Sequence, residues 1–430
     1  MERRREMRSL LLLGLGLGAV CAHADDSPYL FGDWGGARTR LFDQGVGFDF
    51  GYVSEVAHNF SGGDENITRY TDQWKLGSTF DFEKLWGWRG ASFQIMVTDR
   101  NGRNIGADAN IGNNQLIQEV YGRGQTWHLT IFAFDQTFLD GRWDWRIGRL
   151  PVGEDIASFS CDFQNLTFCG AQPGNIVGDY WINWPTSQWA TRLKFRATDE
   201  LYAQIAAYQL NPLYADDNYA RDKGLTLDNP GTTGWLLPLE LGWTPQRNGL
   251  PGSYKFGVWY NTAGGADLFY DINHEPRALT DAPPLQRDSR YGAYVTFQQQ
   301  WTGTAGHDGI VVFFNATQAD QSTSRTDRQI AMGAELHGPF NRPNDFIGFA
   351  VGATHASGRA ADYQRLYNSV HPDQAGIVLD GNEYASEIFY SWSPIPSIQL
   401  RPNLQYVLHP GGSSQNDDAF VLGVKTVIAF

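Results

Sequence analysis

The sequence predicts an all-β fold: a sixteen-stranded antiparallel transmembrane β-barrel with a short N-terminal periplasmic helix and loops that fold inward. Three observations support this prediction: short segments of alternating side chains, connections that are alternately long and short, and a C-terminal segment that ends on Phe430. In that last segment, AFVLGVKTVIAF, large apolar side chains occupy every second position. A period of two indicates a strand with two distinct faces. An apolar face that ends in an aromatic ring is typical of a strand in a membrane barrel.

Residues 1–24 have the pattern of a secretory signal peptide. Four arginines precede an apolar run from Leu10 to Val20, and the following AHA predicts cleavage before Asp25. The run is too short to cross a bilayer as a helix. Cys21 suggests lipoprotein processing as an alternative, but the bulky Val20 in front of it disfavours that route. Export of the mature chain is therefore predicted.

The mature chain is predicted to have two parts. Residues 25–44 form an N-terminal periplasmic segment with a short helix, and residues 45–430 form the barrel that encloses the pore. The DWGG stretch is a good helix start, in which Asp33 is a candidate N-cap.

Beyond Gly45 the sequence divides into about sixteen alternating segments separated by Gly, Asn, Asp and Pro. Lengths near ten residues match a tilted strand that crosses a bilayer. Residues 111–124 are ambiguous and are assigned to a loop, because one more strand would make the count odd. The predicted strands are 46–57, 70–81, 90–99, 127–138, 142–150, 189–197, 200–210, 235–244, 254–262, 289–301, 307–318, 328–338, 346–355, 383–393, 397–407 and 419–430.

The connections between these segments alternate in length. Tight turns occur near Asp140, Asp199 and Pro394, whereas connections at the other end are mostly longer. Long loops at one end and short turns at the other are typical of bacterial outer-membrane barrels. A secreted all-β fold would not need this regularity, but it remains the soluble alternative. The longest connections are 100–126, 151–188, 210–234, 263–288 and 356–382.

Composition and motifs exclude several classes of function. The formal net charge of −14 argues against nucleic acid as a partner. Apart from the leader, no run approaches the roughly 20 apolar residues of a membrane helix, so a membrane protein with this sequence must cross with strands. The sequence contains no GxSxG, HExxH or Gly-rich phosphate loop. We therefore predict no enzyme activity, no metal and no cofactor.

Two cysteines remain after the leader, Cys161 and Cys169, and they are close in sequence. In an exported protein such a pair most often forms a disulfide. It would stiffen the connection 151–188, which is long enough to fold back inside a barrel and narrow it. This loop also carries Glu154 and Asp155.

The charged residues of the strands fall on the face opposite the apolar one, so we expect them to line a water-filled lumen. One interpretation is a polar constriction that replaces the water shell of a solute. The other is a solvated wall whose ion pairs keep the barrel rigid, and for the tryptophans it is an aromatic girdle at the membrane interface. The candidate constriction residues are Arg146, Arg149, Glu154, Asp155, Trp181, Trp184, Trp189, Arg192, Lys194, Arg196, Glu335, Glu387 and Arg401.

Three stretches carry a family resemblance: LFGDWGGARTRLFDQGVGF, DGRWDWRIGRLPVGEDIASFSCDFQNLTFCG, and EIFYSWSPIPSIQLRPNLQYVLHPGG with the C-terminal segment. The chain resembles the carbohydrate-selective porins of the OprB type. The resemblance implies a sixteen-stranded outer-membrane barrel that passes monosaccharides, such as glucose, by facilitated diffusion. It also implies a channel narrowed by inward loops and lined with charged side chains, to which Arg149, Glu154, Asp155 and Arg192 would contribute.

The expected function is passive transport of monosaccharides across the bacterial outer membrane. Expected partners are glucose-like sugars, outer-membrane lipids, lipopolysaccharide and the barrel assembly machinery, for which Phe430 would be the signal. The barrel would be a monomer or a homotrimer. A general diffusion porin without sugar preference, and a secreted carbohydrate-binding protein or enzyme, remain as alternatives.

Overall fold

The computed structural model describes residues 27–228, 230–280 and 282–430. The predicted signal peptide, residues 1–24, and its cleavage site before Asp25 lie outside the described residues. The predicted division at residues 44 and 45 stays a prediction.

The described chain forms a closed antiparallel barrel of sixteen strands, which confirms the predicted fold class. Each strand pairs with the next along the chain, and the first pairs with the last, from Gly51 opposite Ala429 to Ser61 opposite Phe420. Residues 111–124 contain no strand, as predicted. The strands are β1 Val46–Ser61, β2 Thr68–Asp81, β3 Ala91–Gly102, β4 Trp127–Phe138, β5 Trp143–Leu150, β6 Gln188–Arg196, β7 Leu201–Leu210, β8 Gly234–Trp243, β9 Leu250–Asn261, β10 Arg290–Gln300, β11 Gly309–Ala319, β12 Thr326–His337, β13 Phe346–Ala356, β14 Asn382–Ile395, β15 Ile398–Leu408 and β16 Ala419–Ala429.

Long loops gather at one end of the barrel, which we call extracellular, and short turns at the other, which we call periplasmic. The extracellular connections used below are L2 (103–126), L3 (151–187), L4 (211–233), L5 (262–289) and L7 (357–381). The α-helices of the described residues are α1 Ala37–Asp43, α2 Phe82–Trp86, α3 Ile105–Asp108, α4 Val152–Asp155, α5 Gln172–Ile176, α6 Asp217–Lys223 and α7 Gly358–Val370. Among the described residues, no helix has the length and apolarity that crossing a membrane requires.

Two extracellular elements were not predicted from the sequence. L5 contains a small hairpin of Gly265–Asp271 and Pro284–Arg287, and L7 contains α7. The two pack together, because Asp267 is buried between Arg287 and Arg359 at 2.6 and 2.7 Å. Burial opposes ionisation of Asp267, but hydrogen bonds from Arg359, Tyr270 N, Phe269 N and Arg287 outweigh it and hold the pKa of Asp267 below its usual range.

The last strand, β16, shows why alternation indicates a membrane barrel. Its outward residues Phe420, Leu422 and Val424 are 38% to 42% exposed, whereas the inward Val421 and Lys425 are buried. Apolar side chains on the outer surface are stable where hydrocarbon replaces water. The inward face is instead covered by loops that enter the barrel.

Deleting Phe430 is expected to reduce the amount of folded barrel. Its backbone N–H donates to the Phe50 carbonyl at 3.0 Å, and its ring lies 5.2 Å from that of Phe31 and 5.6 Å from that of Trp74. The folded fraction can be measured as the heat-modifiable band in membrane fractions. Phe420→Ala is the control, because it removes an equal ring from β16 away from the terminus. Equal folded fractions for the two variants would contradict a special role for the terminal residue.

Candidate functional site

L2 and L3 fold into the barrel and leave a cavity of about 810 Å³ between themselves and the wall. The wall side comes mainly from β1 to β3 and from β15 and β16. The loops contribute the aromatic rings of Tyr121 in L2 and of Phe159 and Trp184 in L3. The charged residues that line the cavity are Asp49, Lys75, Arg100, Glu119, Arg123, Glu154, Asp162, Asp217, Arg401 and Lys425.

Buried glutamates on the inward strand faces hold these loops in place. Each carboxylate accepts hydrogen bonds from backbone N–H groups of a loop, which have no strand partner. Such bonds to a charged acceptor are stronger than neutral ones. The contacts are Glu240 with Ala157 N at 2.8 Å, Glu387 with Gln164 N and Asn165 N at 2.9 and 2.7 Å, Glu55 with Val120 N at 3.2 Å, and Glu383 with Gln115 N and Gly411 N at 3.1 and 2.8 Å.

Lys425 joins both loops to the strands that close the barrel. Its Nζ lies 2.9 Å from Glu119 of L2 and 3.4 Å from Glu55 of β1. It also donates to the carbonyls of Cys161 and Phe163 in L3 at 3.0 and 2.8 Å. An ammonium group that is 2% exposed is stable there because several oxygens replace its water shell.

Cys161 and Cys169 form the predicted disulfide, so that prediction is confirmed. The sulfur atoms lie near Glu119, but a disulfide offers no thiolate to a metal ion. Arg401 holds the same part of L3, since it donates to the Asp162 carbonyl at 2.7 Å and lies 3.2 Å from the Asp162 carboxylate. The disulfide therefore lies within a segment that the wall already binds at several points.

The short helix α4 separates two adjacent acidic residues. Asp155 points to the wall, where Arg192 and Arg146 approach it at 3.3 and 3.4 Å. The same arginines contact Asp144 and Asp135 at 2.9 and 3.1 Å. Glu154 instead is exposed to the cavity. Asp155, Arg146 and Arg192 thus fasten L3, and Glu154 faces the cavity.

The three predicted tryptophans lie in different surroundings. Trp184 lines the cavity and donates from Nε1 to Gln73 at 2.9 Å. Trp181, itself part of L3, is fully buried, with its ring 5.3 Å from that of Trp259 in β9. Trp189 lies opposite Arg149 on the outward face, where its Nε1 donates to the Leu227 carbonyl of L4 at 3.2 Å. One of the three, Trp184, therefore lines the cavity.

The other predicted constriction residues lie mostly around the cavity rather than on it, and the lumen position predicted for Arg149 is wrong, because Arg149 pairs with Trp189 and shares its outward face. Arg149 is buried at the extracellular rim, where it donates to the Ser187 carbonyl at 2.8 Å. Lys194 lies 4.8 Å from the Tyr202 ring, and Arg196 is exposed near the periplasmic end of β6. Glu335 is buried 3.1 Å from His337. Of the thirteen candidates, Glu154, Trp184 and Arg401 line the cavity, and the other ten do not.

Several cavity residues were missed from the sequence. Inward positions on β16, β2 and β1 are occupied by Lys425, Lys75 and Asp49. Counting alternate side chains along each strand, which selected Arg192, could have found them as well. Glu119 and Arg123 lie in L2, within the segment 111–124, where no periodicity indicates the direction of a side chain. Only folding of L2 into the barrel brings them to the wall.

The chain is similar to known porins. The model of the carbohydrate-selective porin, OprB family, matches residues 65–430. Porin B of Pseudomonas aeruginosa is 40% identical over 436 residues, which cover 97% of this chain and 95% of that protein. A high-pH structure of OprB from Pseudomonas putida matches with a TM-score of 0.91 at 40% identity, covering 95% of this chain and 100% of that one.

Replacing Glu387 with alanine is expected to loosen L3. The change leaves the N–H groups of Gln164 and Asn165 buried without an acceptor, at a cost of about 1–3 kcal/mol for each group. We expect faster proteolysis within residues 151–187 and a noisier single-channel current. Glu65→Ala in an exposed turn is the matched control. Identical cleavage rates in the two variants would contradict the anchoring role.

Proposed function

The chain belongs to the OprB family of carbohydrate-selective porins, and we propose that its channel admits glucose-like neutral monosaccharides by facilitated diffusion. The protein is a sugar porin of the bacterial outer membrane. Both family and fold indicate a channel rather than an enzyme. The identity of the preferred sugar and the residues that contact it belong to the proposal.

The cavity between L2, L3 and the wall is the observation that supports this proposal. Trp184 offers a flat apolar surface on one side, and carboxylate, guanidinium and amide groups surround it. A pyranose ring presents C–H groups on its faces and hydroxyls on its edge, so it can contact both kinds of surface. A mixed lining with a few placed polar groups is typical of small-molecule sites.

Transport also requires that a sugar leaves the cavity easily. Binding in a conducting pore must be strong enough for entry and weak enough for release. Most charges along the cavity are paired with one another, for example Lys75 with Asp49 at 2.8 Å. Paired charges hold a solute less strongly than free ones, which is consistent with rapid passage.

We further propose the partners and the export route that the fold requires. The signal peptide would direct export, and the barrel assembly machinery would recognise the terminal strand. The outward apolar belt would contact outer-membrane lipids and lipopolysaccharide. Whether the barrel acts alone or as a homotrimer can be measured by the mass of the detergent-solubilised protein.

Glucose is expected to block the ion current of the purified porin in planar bilayers, and Trp184→Ala is expected to weaken this block. Loss of one aromatic contact corresponds to about 1 kcal/mol, or roughly a fivefold higher half-blocking concentration. Trp189→Ala, on the outer face, is the control and should block as the wild type does. Two results together would favour a general porin: glucose does not block the current, and liposomes swell at equal rates in sugars and in amino acids of the same size.

A further inference from the structure

Glu154 differs from the other carboxylates of L2 and L3 that line the cavity. Glu119 pairs with Lys425 at 2.9 Å, and Asp162 pairs with Arg401 at 3.2 Å. The Glu154 carboxylate makes no hydrogen bond or ion pair within the described residues. Asp217 of L4 is also unpaired there, but it comes from the extracellular helix α6 and not from the two loops that enter the barrel.

The position of Glu154 is set by its neighbour. Asp155, the next residue of α4, is held by Arg146 and Arg192 against the wall. Since consecutive side chains of a helical turn point in different directions, this attachment turns Glu154 toward the solute path. Gln204 adds a further tie, because its side chain donates to the Asp155 carbonyl at 2.7 Å.

Arg123 is the counterpart of Glu154 among the cations of the cavity. Its guanidinium donates to the Gly178 carbonyl at 2.8 Å and makes no ion pair within the described residues. Among the described residues, the cavity therefore presents a carboxylate without an ion pair and a guanidinium whose single hydrogen bond leaves further N–H donors. A neutral polyhydroxy solute can donate to Glu154 and accept from Arg123, whereas a solute with its own carboxylate is attracted by Arg123 and repelled by Glu154.

Building on the sugar-porin function above, we propose that Glu154 is the residue by which the channel favours neutral sugars over sugar carboxylates. Repulsion between two carboxylates is stronger in a narrow protein-lined passage than in bulk water, because the effective dielectric constant is lower. The carboxylate would still accept a hydroxyl hydrogen bond from a neutral sugar. Glu154 thus adds discrimination by charge to selection by size.

The test compares glucose with glucuronate, which has a ring of the same size and one carboxylate. In planar bilayers, the half-blocking concentration of the wild type should be about tenfold lower for glucose than for glucuronate. Glu154→Gln should reduce this ratio to about twofold, because the amide keeps the acceptor and removes the charge. Asp362→Asn on the exposed face of α7 makes the same charge change away from the cavity and should leave the ratio unchanged.

The outcomes separate the two proposals. Equal block by both sugars in the wild type, or an unchanged ratio in Glu154→Gln, overturns the role of Glu154. If neither glucose nor glucuronate blocks the current, the proposed function itself is overturned.

The N-terminal segment 27–45, which the transport site does not use, contacts both strands that close the barrel. The Leu30 N–H donates to the Ala429 carbonyl of β16 at 2.8 Å. Arg38 donates from Nη1 to the Phe430 carbonyl at 2.6 Å and from Nη2 to the Phe48 carbonyl of β1 at 2.9 Å. One buried side chain thus bridges the first and the last strand.

The DWGG motif gives this segment its shape. Trp34 packs on the outward rings of Phe48 and Phe50, with centroids 5.4 and 6.3 Å apart. Gly35 and Gly36 have φ of 66° and 85°, a left-handed conformation that glycine adopts without strain. The predicted N-cap Asp33 is not adjacent to α1, but its Oδ1 accepts from the Thr39 N–H at 2.8 Å and so caps the helix that carries Arg38.

We infer that residues 27–45 form a clamp on the closing strand pair of the barrel. This pair joins the first and the last strand of the barrel, so bringing the two strands together carries the highest entropic cost of loop closure among the strand pairs. Because the segment binds both β1 and β16, separating these strands requires breaking its contacts as well as the hydrogen bonds of the strand pair. The clamp lies at the periplasmic rim, outside the cavity.

Arg38→Ala and Arg40→Ala provide a matched comparison within one helix. Arg40 is exposed and makes no side-chain hydrogen bond or ion pair within the described residues. In a detergent heat-modifiability series, the folded band of Arg38→Ala should convert about 2–4 °C below that of the wild type, and Arg40→Ala should convert with the wild type. Single-channel conductance and glucose block should be unchanged in both.

Equal conversion temperatures for the two variants overturn the clamp. If Arg38→Ala does not assemble, Arg38→Lys is the second variant, because lysine keeps the charge and one of the two hydrogen bonds. Its folded band should convert at a lower temperature than those of the wild type and Arg40→Ala. It should convert at a higher temperature than that of Trp34→Ala, which removes the ring that packs on Phe48 and Phe50. Conversion of Arg38→Lys at the wild-type temperature would equally overturn the inference.

Discussion

Closure of the sheet is the constraint on which the rest of this structure depends. Inside a bilayer no water is present to form hydrogen bonds with the backbone of an open strand edge, so the first and last strands must form hydrogen bonds with each other. Here β1 and β16 pair along their length, and the chain ends in that ladder. Closure also creates an enclosed interior with water-exposed walls, which is the space that a channel needs. The outer face, in turn, has to be apolar throughout the membrane.

Filling that interior poses a second problem, because loops that enter the barrel bring unpaired backbone groups with them. The structure meets it with single buried glutamates on inward strand faces, such as Glu240 and Glu387, which accept N–H groups of L3. Lys425 does the reverse and donates to carbonyls of the same loop. Charged wall residues therefore determine where the loops lie, and through them the width of the passage.

This arrangement divides the charges of the lumen into two groups. Arg146 and Arg192 both form ion pairs with Asp155, and these contacts hold L3 in place. Glu154 and Arg123 line the cavity and form no ion pair with any residue that the structure describes. A pore whose charges were all unpaired would bind polar solutes too tightly to release them, whereas one with all charges paired would select little beyond size.

Alternation, the alternately long and short connections and the terminal aromatic were enough to predict the barrel, its sixteen strands and the long loop 151–188, because strand period and bilayer thickness act on local sequence. The disulfide was predicted separately, from two cysteines close together in an exported chain. The same counting placed Arg192 and Glu387 on the inward face. It could not tell that L3 covers them, that Trp189 faces outward under L4, or that residues 358–370 form a helix. Those facts depend on contacts between residues far apart in the chain. Only the folded barrel, by bringing loops and wall together, decides which charges are buried as braces and which line the cavity.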